Sequence, residues 1–357
     1  MEKDKEKRKP DKVDGFFGLC GDTFSYIIKN AFTIIKILLI IIFILLTCHL
    51  IILQNKNSFY DLSSTYQDHD QPISIKIPPA PDLKKNLVPI NTEDLNLPKV
   101  FEVKKSKIIH YGQDGLPSYP MKTKSRGIFF MVNIIDFPNK AKERLGAKND
   151  SISLLHLFQE FGFTCFPYHN LTKKQFFEIS EKLRKSEYLE KTESFVLTVM
   201  SHGGMEDMHD RVQFSDGEMC KVKKIEEFFS ETNCKSLIGK PKVMVFPFCR
   251  QASQNLTENK TVGCFPTVCK PPPVLSDILV CYGTVRGFPS YRHPIEGSNY
   301  IQVFCKILAK HAHYMHLEDM LKLIGKELRE QTNSQIIAHY NYGFNNLLFF
   351  NPGICEN

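Results

Sequence analysis

Between residues 126 and 350, apolar positions fall into short continuous runs separated by amphipathic stretches. Gly127-Ile128-Phe129-Phe130-Met131-Val132-Asn133-Ile134-Ile135 predicts a central strand buried on both faces. A helix is predicted next, with Asp150 as N-cap and Ile152, Leu155 and Phe158 on one face. Phe163 to Tyr168 reads as a strand and Thr172 to Lys185 as an amphipathic helix. Ser194 to Met200, Lys242 to Phe248 and Asp277 to Thr284 read as three further strands. Helices fit 299–312 and 316–332, and Leu347-Leu348-Phe349-Phe350 is expected to close the sheet. Strands alternating with helices predict an α/β three-layer sandwich: a mostly parallel central sheet of about six strands with helices on both faces.

The amino-terminal part has another pattern. Residues 1–30 are charged and open on Glu2-Lys3-Asp4-Lys5-Glu6-Lys7-Arg8-Lys9. Ala31 to Leu53 is almost wholly apolar and meets the roughly 20 residues that a hydrocarbon core requires, so residues 31–53 are expected to form a single-pass membrane anchor. The side of the membrane that the carboxyl-terminal part occupies stays open. Basic residues ahead of the segment favour a luminal position for residues 54–357, as do Asn-x-Ser/Thr sites at Asn149, Asn170, Asn255 and Asn259, whereas the unpaired-looking cysteines favour the cytosol. Residues 54–118, rich in Pro, Asp, Asn and Ser, read as a flexible linker or prodomain.

Composition narrows the chemistry. The 357 residues carry a net charge of +7, but basic residues are scattered rather than interleaved with aromatics, so nucleic acid is not an expected partner. The eleven cysteines form no CxxC pair and no Cys/His ligand spacing; neither a metal nor a cofactor is expected. In a parallel sheet functional loops lie at the carboxyl ends of strands. His202 comes after one predicted strand and Cys249 after another, so a thiol and an imidazole can meet there, as a cysteine protease requires.

From about Tyr119 to Pro352 the chain resembles the caspases. Ser201-His202-Gly203 is similar to the family's histidine loop, and Gly239-Lys240-Pro241-Lys242 leads a strand into Cys249-Arg250 as it does there. Ser290-Tyr291-Arg292 resembles the substrate strand Ser-Trp-Arg, and Gly297-Ser298-Asn299-Tyr300 resembles Gly-Ser-Trp-Phe. Arg126-Gly127 and Arg144-Leu145-Gly146 match the start of the first strand and the approach to the first helix.

The resemblance implies Cys249 as nucleophile, His202 as general base, and the N–H groups of Gly203 and Cys249 as oxyanion hole. It implies that Arg144 and Arg292 bind an aspartate side chain, with Ser290 and Tyr291 holding the peptide. It implies a large-subunit-like region at 119–249, an intersubunit linker at 250–276 and a small-subunit-like region at 277–357. It also implies protein substrates, a homodimer or a heterodimer with another caspase, and a proteolytic signalling pathway such as apoptosis. Pro247 stands where the family has a glutamine whose amide serves the aspartate pocket, Gln251 replaces a glycine, and Asn299 replaces an indole. Residues 250–276 contain no aspartate for a maturation cut, so either Glu258 or a basic bond near Lys260 or Lys270 is used, or the chain stays whole and is activated by association. Upstream, Asp114 in the linker ahead of the domain is the expected site for release from the anchor. The alternative is a weak or inactive homologue that pairs with an active caspase and regulates it.

Overall fold

A computed structural model describes residues 40, 42, 43, 46, 47, 87–90, 100–252, 274–332 and 334–356. Internal contacts divide the chain into Met1–Ser74 and Ile75–Asn357. In the first unit Ile40, Ile42, Phe43, Leu46 and Thr47 are helical. The single-pass membrane location expected from residues 31–53 does not stand: among the described residues no helix is long and apolar enough to cross a membrane. The other residues of that stretch lie outside the described set, as do most of 1–86 and 253–273.

The second unit is built on a six-stranded sheet. Its strands are β3 (Gly127–Asn133), β4 (Phe163–His169), β5 (Phe195–Met200), β9 (Lys242–Phe246), β10 (Ile278–Tyr282) and β13 (Ala338–Tyr342), in the order β13-β10-β9-β5-β3-β4. Every pairing is parallel except that of β10 with β13. Two antiparallel ribbons, β1 (Gly112–Gln113) with β2 (Leu116–Pro117) and β11 (Arg292–His293) with β12 (Gly297–Ser298), stand outside it. So does a three-stranded sheet of β6 (Gly203–Glu206), β7 (His209–Gln213) and β8 (Met219–Lys221).

Strand periodicity sends alternate residues to opposite layers. Phe129 and Met131 join one core with Val243 and Val245 of β9 and Leu279 and Cys281 of β10. That layer is covered by α1 (Ala147–Glu160), α5 (Asn299–His311) and α6 (Leu317–Thr332). Ile128, Phe130 and Val132 join the other core with Met244, Phe246, Val280 and Tyr282. α2 (Lys173–Arg184), α3 (Glu187–Lys191) and α4 (Val222–Phe228) cover it. The mostly parallel sheet clad on both faces is therefore present.

Several boundaries differ from the sequence reading, each for a local reason. α1 begins at Ala147 and has no side-chain cap; Gly146 precedes it with φ of 76°. Asp150, expected as N-cap, instead lies inside the first turn with its carboxylate buried. α2 does use a cap: Thr172 Oγ1 accepts from Gln175 N–H at 3.2 Å, and Gln175 Oε1 accepts from Thr172 N–H at 2.9 Å. Leu347–Phe350 forms no ladder, only an isolated bridge from Ser118 to Leu347, while its side chains fill the core. The sixth strand is Ala338–Tyr342, whose alternating half-buried and exposed residues give no apolar run. Residues 100–118, read as the end of the linker, lie along the domain, with Lys104 N–H donating to Ala309 O at 3.0 Å and Ser106 N–H to Pro352 O at 2.8 Å. Asp114, the expected release site, and Gly115 form the two-residue turn between β1 and β2, both with positive φ.

Candidate active site

The carboxyl ends of β5 and β9 are adjacent, because the two strands pair in parallel up to Thr198 and Val245. His202 and Cys249 lie just beyond those ends on neighbouring loops, both partly exposed. His202 Nε2 lies 2.7 Å from Lys142 O. A carbonyl oxygen only accepts, so this contact assigns the proton to Nε2 and leaves Nδ1 of the neutral ring as a base. The ring also packs against Phe137, with centroids 4.9 Å apart. Burial lowers its pKa; the Lys142 contact opposes the shift, and the charges of Arg144 and Arg292 reinforce it. A neutral imidazole is the form that can take a thiol proton.

Cys249 Sγ is held by Ser290: the Ser290 N–H donates to it at 3.3 Å and its own S–H points to Ser290 O at 3.5 Å. Among the described residues no hydrogen bond joins Cys249 to His202. Such contacts are often long before substrate binds. Other thiols differ in kind. Cys165 and Cys281 are fully buried, and burial pushes Cys165 up to about 12, so it stays a thiol at neutral pH.

Gly203 starts β6 directly after His202. A Cβ placed on it would lie 2.2 Å from Phe248 Cδ2 and 2.8 Å from Arg211 O, so only glycine lets this loop approach the one before Cys249. Met205 N–H then donates to Gln251 O at 2.8 Å, joining the two loops beyond the site. Gln251 stands where the family has glycine but does not adopt a positive φ, so glutamine brings no left-handed backbone strain there.

Arg144 precedes α1 and is almost wholly buried. Its Nη1 donates to Asn133 Oδ1 at 2.7 Å and to Ile134 O at 2.8 Å, while its Nε has no partner. Burial lowers its pKa, with the Arg292 charge adding to the shift and Asp150 and Cys249 opposing it. Arg292 is half-buried, and its Nε donates to Leu145 O at 2.9 Å, next to Arg144. The two guanidinium groups thus bear electrostatically on each other and on both Cys249 and His202. Tyr291 exposes its ring beside them.

Other contributors escaped sequence reasoning. Asp150 is fully buried, and its Oδ1 accepts from Ser298 N–H at 2.8 Å and Gln302 Nε2 at 2.9 Å, fixing β12 beneath Arg292. Burial raises it to about 6, against the Arg144 charge. Ser298 Oγ is buried next to the Asp150 carboxylate, which it helps to keep charged. Arg250, the residue after Cys249, is bound by Asp210 and stacks on Tyr282, its guanidinium carbon 3.8 Å from the ring centroid. The paired residues are far apart in sequence, and only the Gly297-Ser298 resemblance and the adjacency of Arg250 to Cys249 hinted at them. Among the described residues no group of three or more His, Cys, Asp or Glu side chains could hold a metal ion.

A family profile described as Caspase domain matches residues 126–344. The chain belongs to the caspase family, a family of cysteine endopeptidases. It is 39% identical to Caspase Dronc of Drosophila melanogaster over 278 residues, which cover 71% of this chain and 62% of that protein. It is 27% identical to Caspase-3 of Bos taurus over 247 residues, covering 67% of this chain and 88% of the other. The crystal structure of the Drosophila initiator caspase Dronc matches with a TM-score of 0.61 over 71% of this chain and 95% of that one. Caspase-1 from Spodoptera frugiperda, at 20% identity and a TM-score of 0.56 over 68% and 97%, shares the fold. The matched span takes in His202, Gly203, Arg144, Cys249, Ser290, Tyr291 and Arg292, and the caspase domain ends within the loop after β13.

Proposed function

We propose that the chain cleaves proteins after aspartate, with Cys249 as nucleophile and His202 as general base, and that it acts in apoptotic signalling. The observation that carries this reading is the contact of His202 Nε2 with Lys142 O: with Nε2–H spent there, Nδ1 is left as the free base, near the charges of the two arginines and on the loop next to the one that carries Cys249. The Cys249 S–H proton passes to His202 Nδ1 and the sulfur attacks the scissile carbonyl carbon. The oxyanion is met by the N–H groups of Gly203 and Cys249, each such donor being worth about 2.7–4 kcal/mol. His202 returns the proton to the departing amine, and water then hydrolyses the thioester.

Arg144 and Arg292 supply positive charge for the aspartate carboxylate, and the unpartnered Arg144 Nε is a donor still available to it. Pro247 contributes no amide there, which lowers the aspartate preference by about 1.5–3 kcal/mol relative to a site with that hydrogen bond. The same proline favours a second reading, a catalytically weak homologue that regulates an active caspase. Dimerisation, with a second copy or with another caspase, belongs to both readings.

A peptidyl electrophile ending in aspartate separates them. Labelling of Cys249 in the intact chain, absent in Cys249→Ala, supports the protease. No labelling of the wild type at electrophile concentrations that saturate an active caspase supports the regulator.

A further inference from the structure

Gln335 lies between α6 and β13, more than 40 residues from the strand that carries Ser290, Tyr291 and Arg292. It is only 1% exposed, and every polar atom of its carboxamide is directed at that strand or at the loop beneath it. Its Nε2 donates to Gly283 O at 2.6 Å and to Ser290 Oγ at 3.3 Å. Its Oε1 accepts from Tyr291 N–H at 3.4 Å.

The residue is itself anchored. Its backbone N–H donates to Thr332 Oγ1 at 3.0 Å, and that hydroxyl donates to Leu328 O at 2.7 Å, at the end of α6. The next residue's carbonyl, Ile336 O, accepts from Val285 N–H at 2.9 Å. A continuous set of hydrogen bonds therefore runs from α6 through Gln335 to Ser290, whose N–H touches Cys249 Sγ.

We propose that Gln335 is a positioning residue for the substrate strand, holding Ser290 to Arg292 at a fixed distance from Cys249. The proposal rests on the protease reading for its consequence in catalysis. Only a primary carboxamide of this length can donate to Gly283 O and Ser290 Oγ while accepting from Tyr291 N–H. A carboxylate would keep the acceptor for Tyr291 but turn a lone pair toward the Gly283 carbonyl. Methionine would keep the volume and lose every hydrogen bond of the side chain.

The test uses the full chain with Gln335→Met and Gln335→Glu. Four quantities are read: backbone hydrogen exchange over residues 286–292, KM and kcat on a peptide ending in aspartate, and the rate at which iodoacetamide alkylates Cys249. Iodoacetamide is too small to need the strand. For Gln335→Met the expected result is faster exchange confined to 286–292, KM raised about 5- to 20-fold with kcat within about 2-fold, and an unchanged alkylation rate. Gln335→Glu falls between Met and wild type in KM, because it retains the Tyr291 acceptor. Exchange in 286–292 and KM both equal to wild type overturn the proposal. So does exchange that quickens across the whole domain together with a loss of kcat, since that marks a residue serving stability alone. If the wild type cleaves no peptide, the protease reading fails separately, and exchange in 286–292 still decides whether Gln335 ties down the strand.

Discussion

Arg250 Nε and Nη2 donate to the two carboxylate oxygens of Asp210 at 2.8 Å each, and neither side chain is more than 4% exposed. The pair fixes the backbone just beyond Cys249, where Arg250 N–H also donates to Phe288 O at 3.0 Å. Removing one partner strands a buried charge, so Asp210→Ala is expected to destabilise the domain by about 3–5 kcal/mol. Replacing both with apolar residues, Asp210→Leu with Arg250→Met, is expected to recover most of that loss. Urea unfolding of the single and double variants checks this; equal stability of Asp210→Ala and wild type would remove the pair from any structural role.

Gly203→Ala tests the close approach of the two site loops. The added methyl meets the Phe248 ring and the Arg211 carbonyl, and the carbonyl cannot turn aside as a side chain can. Overpacking of this kind costs about 1–3 kcal/mol, and here it also displaces the loop carrying His202. Thermal unfolding and peptide turnover are both expected to fall, turnover more steeply. A variant that keeps full turnover would show that the loop has room to yield.

Glu226 in α4 introduces a pH dependence. Burial pushes its carboxyl up to about 7 from its ordinary 4.5, with Asp210 and Glu227 adding to the rise and Lys223 and Arg286 opposing it. Below about pH 4.5 the folded and unfolded chains both hold the proton, and the group contributes nothing. Between about 4.5 and 7 only the folded chain keeps it, so stability falls as pH rises through that window; above it the whole penalty of the buried charge stands. Glu226→Gln is therefore expected to match wild type near pH 4.5 and to exceed it in melting temperature at pH 8. A constant difference between the two across that range would contradict the assignment.

The sheet was legible because β3, β5, β9 and β10 are buried on both faces and read as unbroken apolar runs. The sixth strand was not, because Ala338-His339-Tyr340-Asn341-Tyr342 is an edge that alternates toward solvent, while the apolar Leu347–Phe350 fills the core without pairing. The start of α1 was misplaced because an Asp ahead of an apolar face looks like a cap, whereas Gly146 turns the chain and its Cα faces the His293 and Pro294 carbonyls. Cys249 and His202 stood out because strand ends in a parallel sheet converge. Gln335, Asp210 and Asp150 did not, since each acts on a residue distant in sequence and carries no local pattern. The long apolar stretch at 31–53 suggested a membrane location that no described helix bears out.

The most direct measurement is cleavage of a peptide panel ending in aspartate, glutamate or alanine by the intact chain, beside Cys249→Ala and Arg292→Gln. Wild type is expected to cut after aspartate in preference to alanine, Cys249→Ala to sit at background, and Arg292→Gln to lose about 10- to 150-fold in kcat/KM on the aspartate peptide. Wild type indistinguishable from Cys249→Ala on every peptide would contradict cleavage by this site.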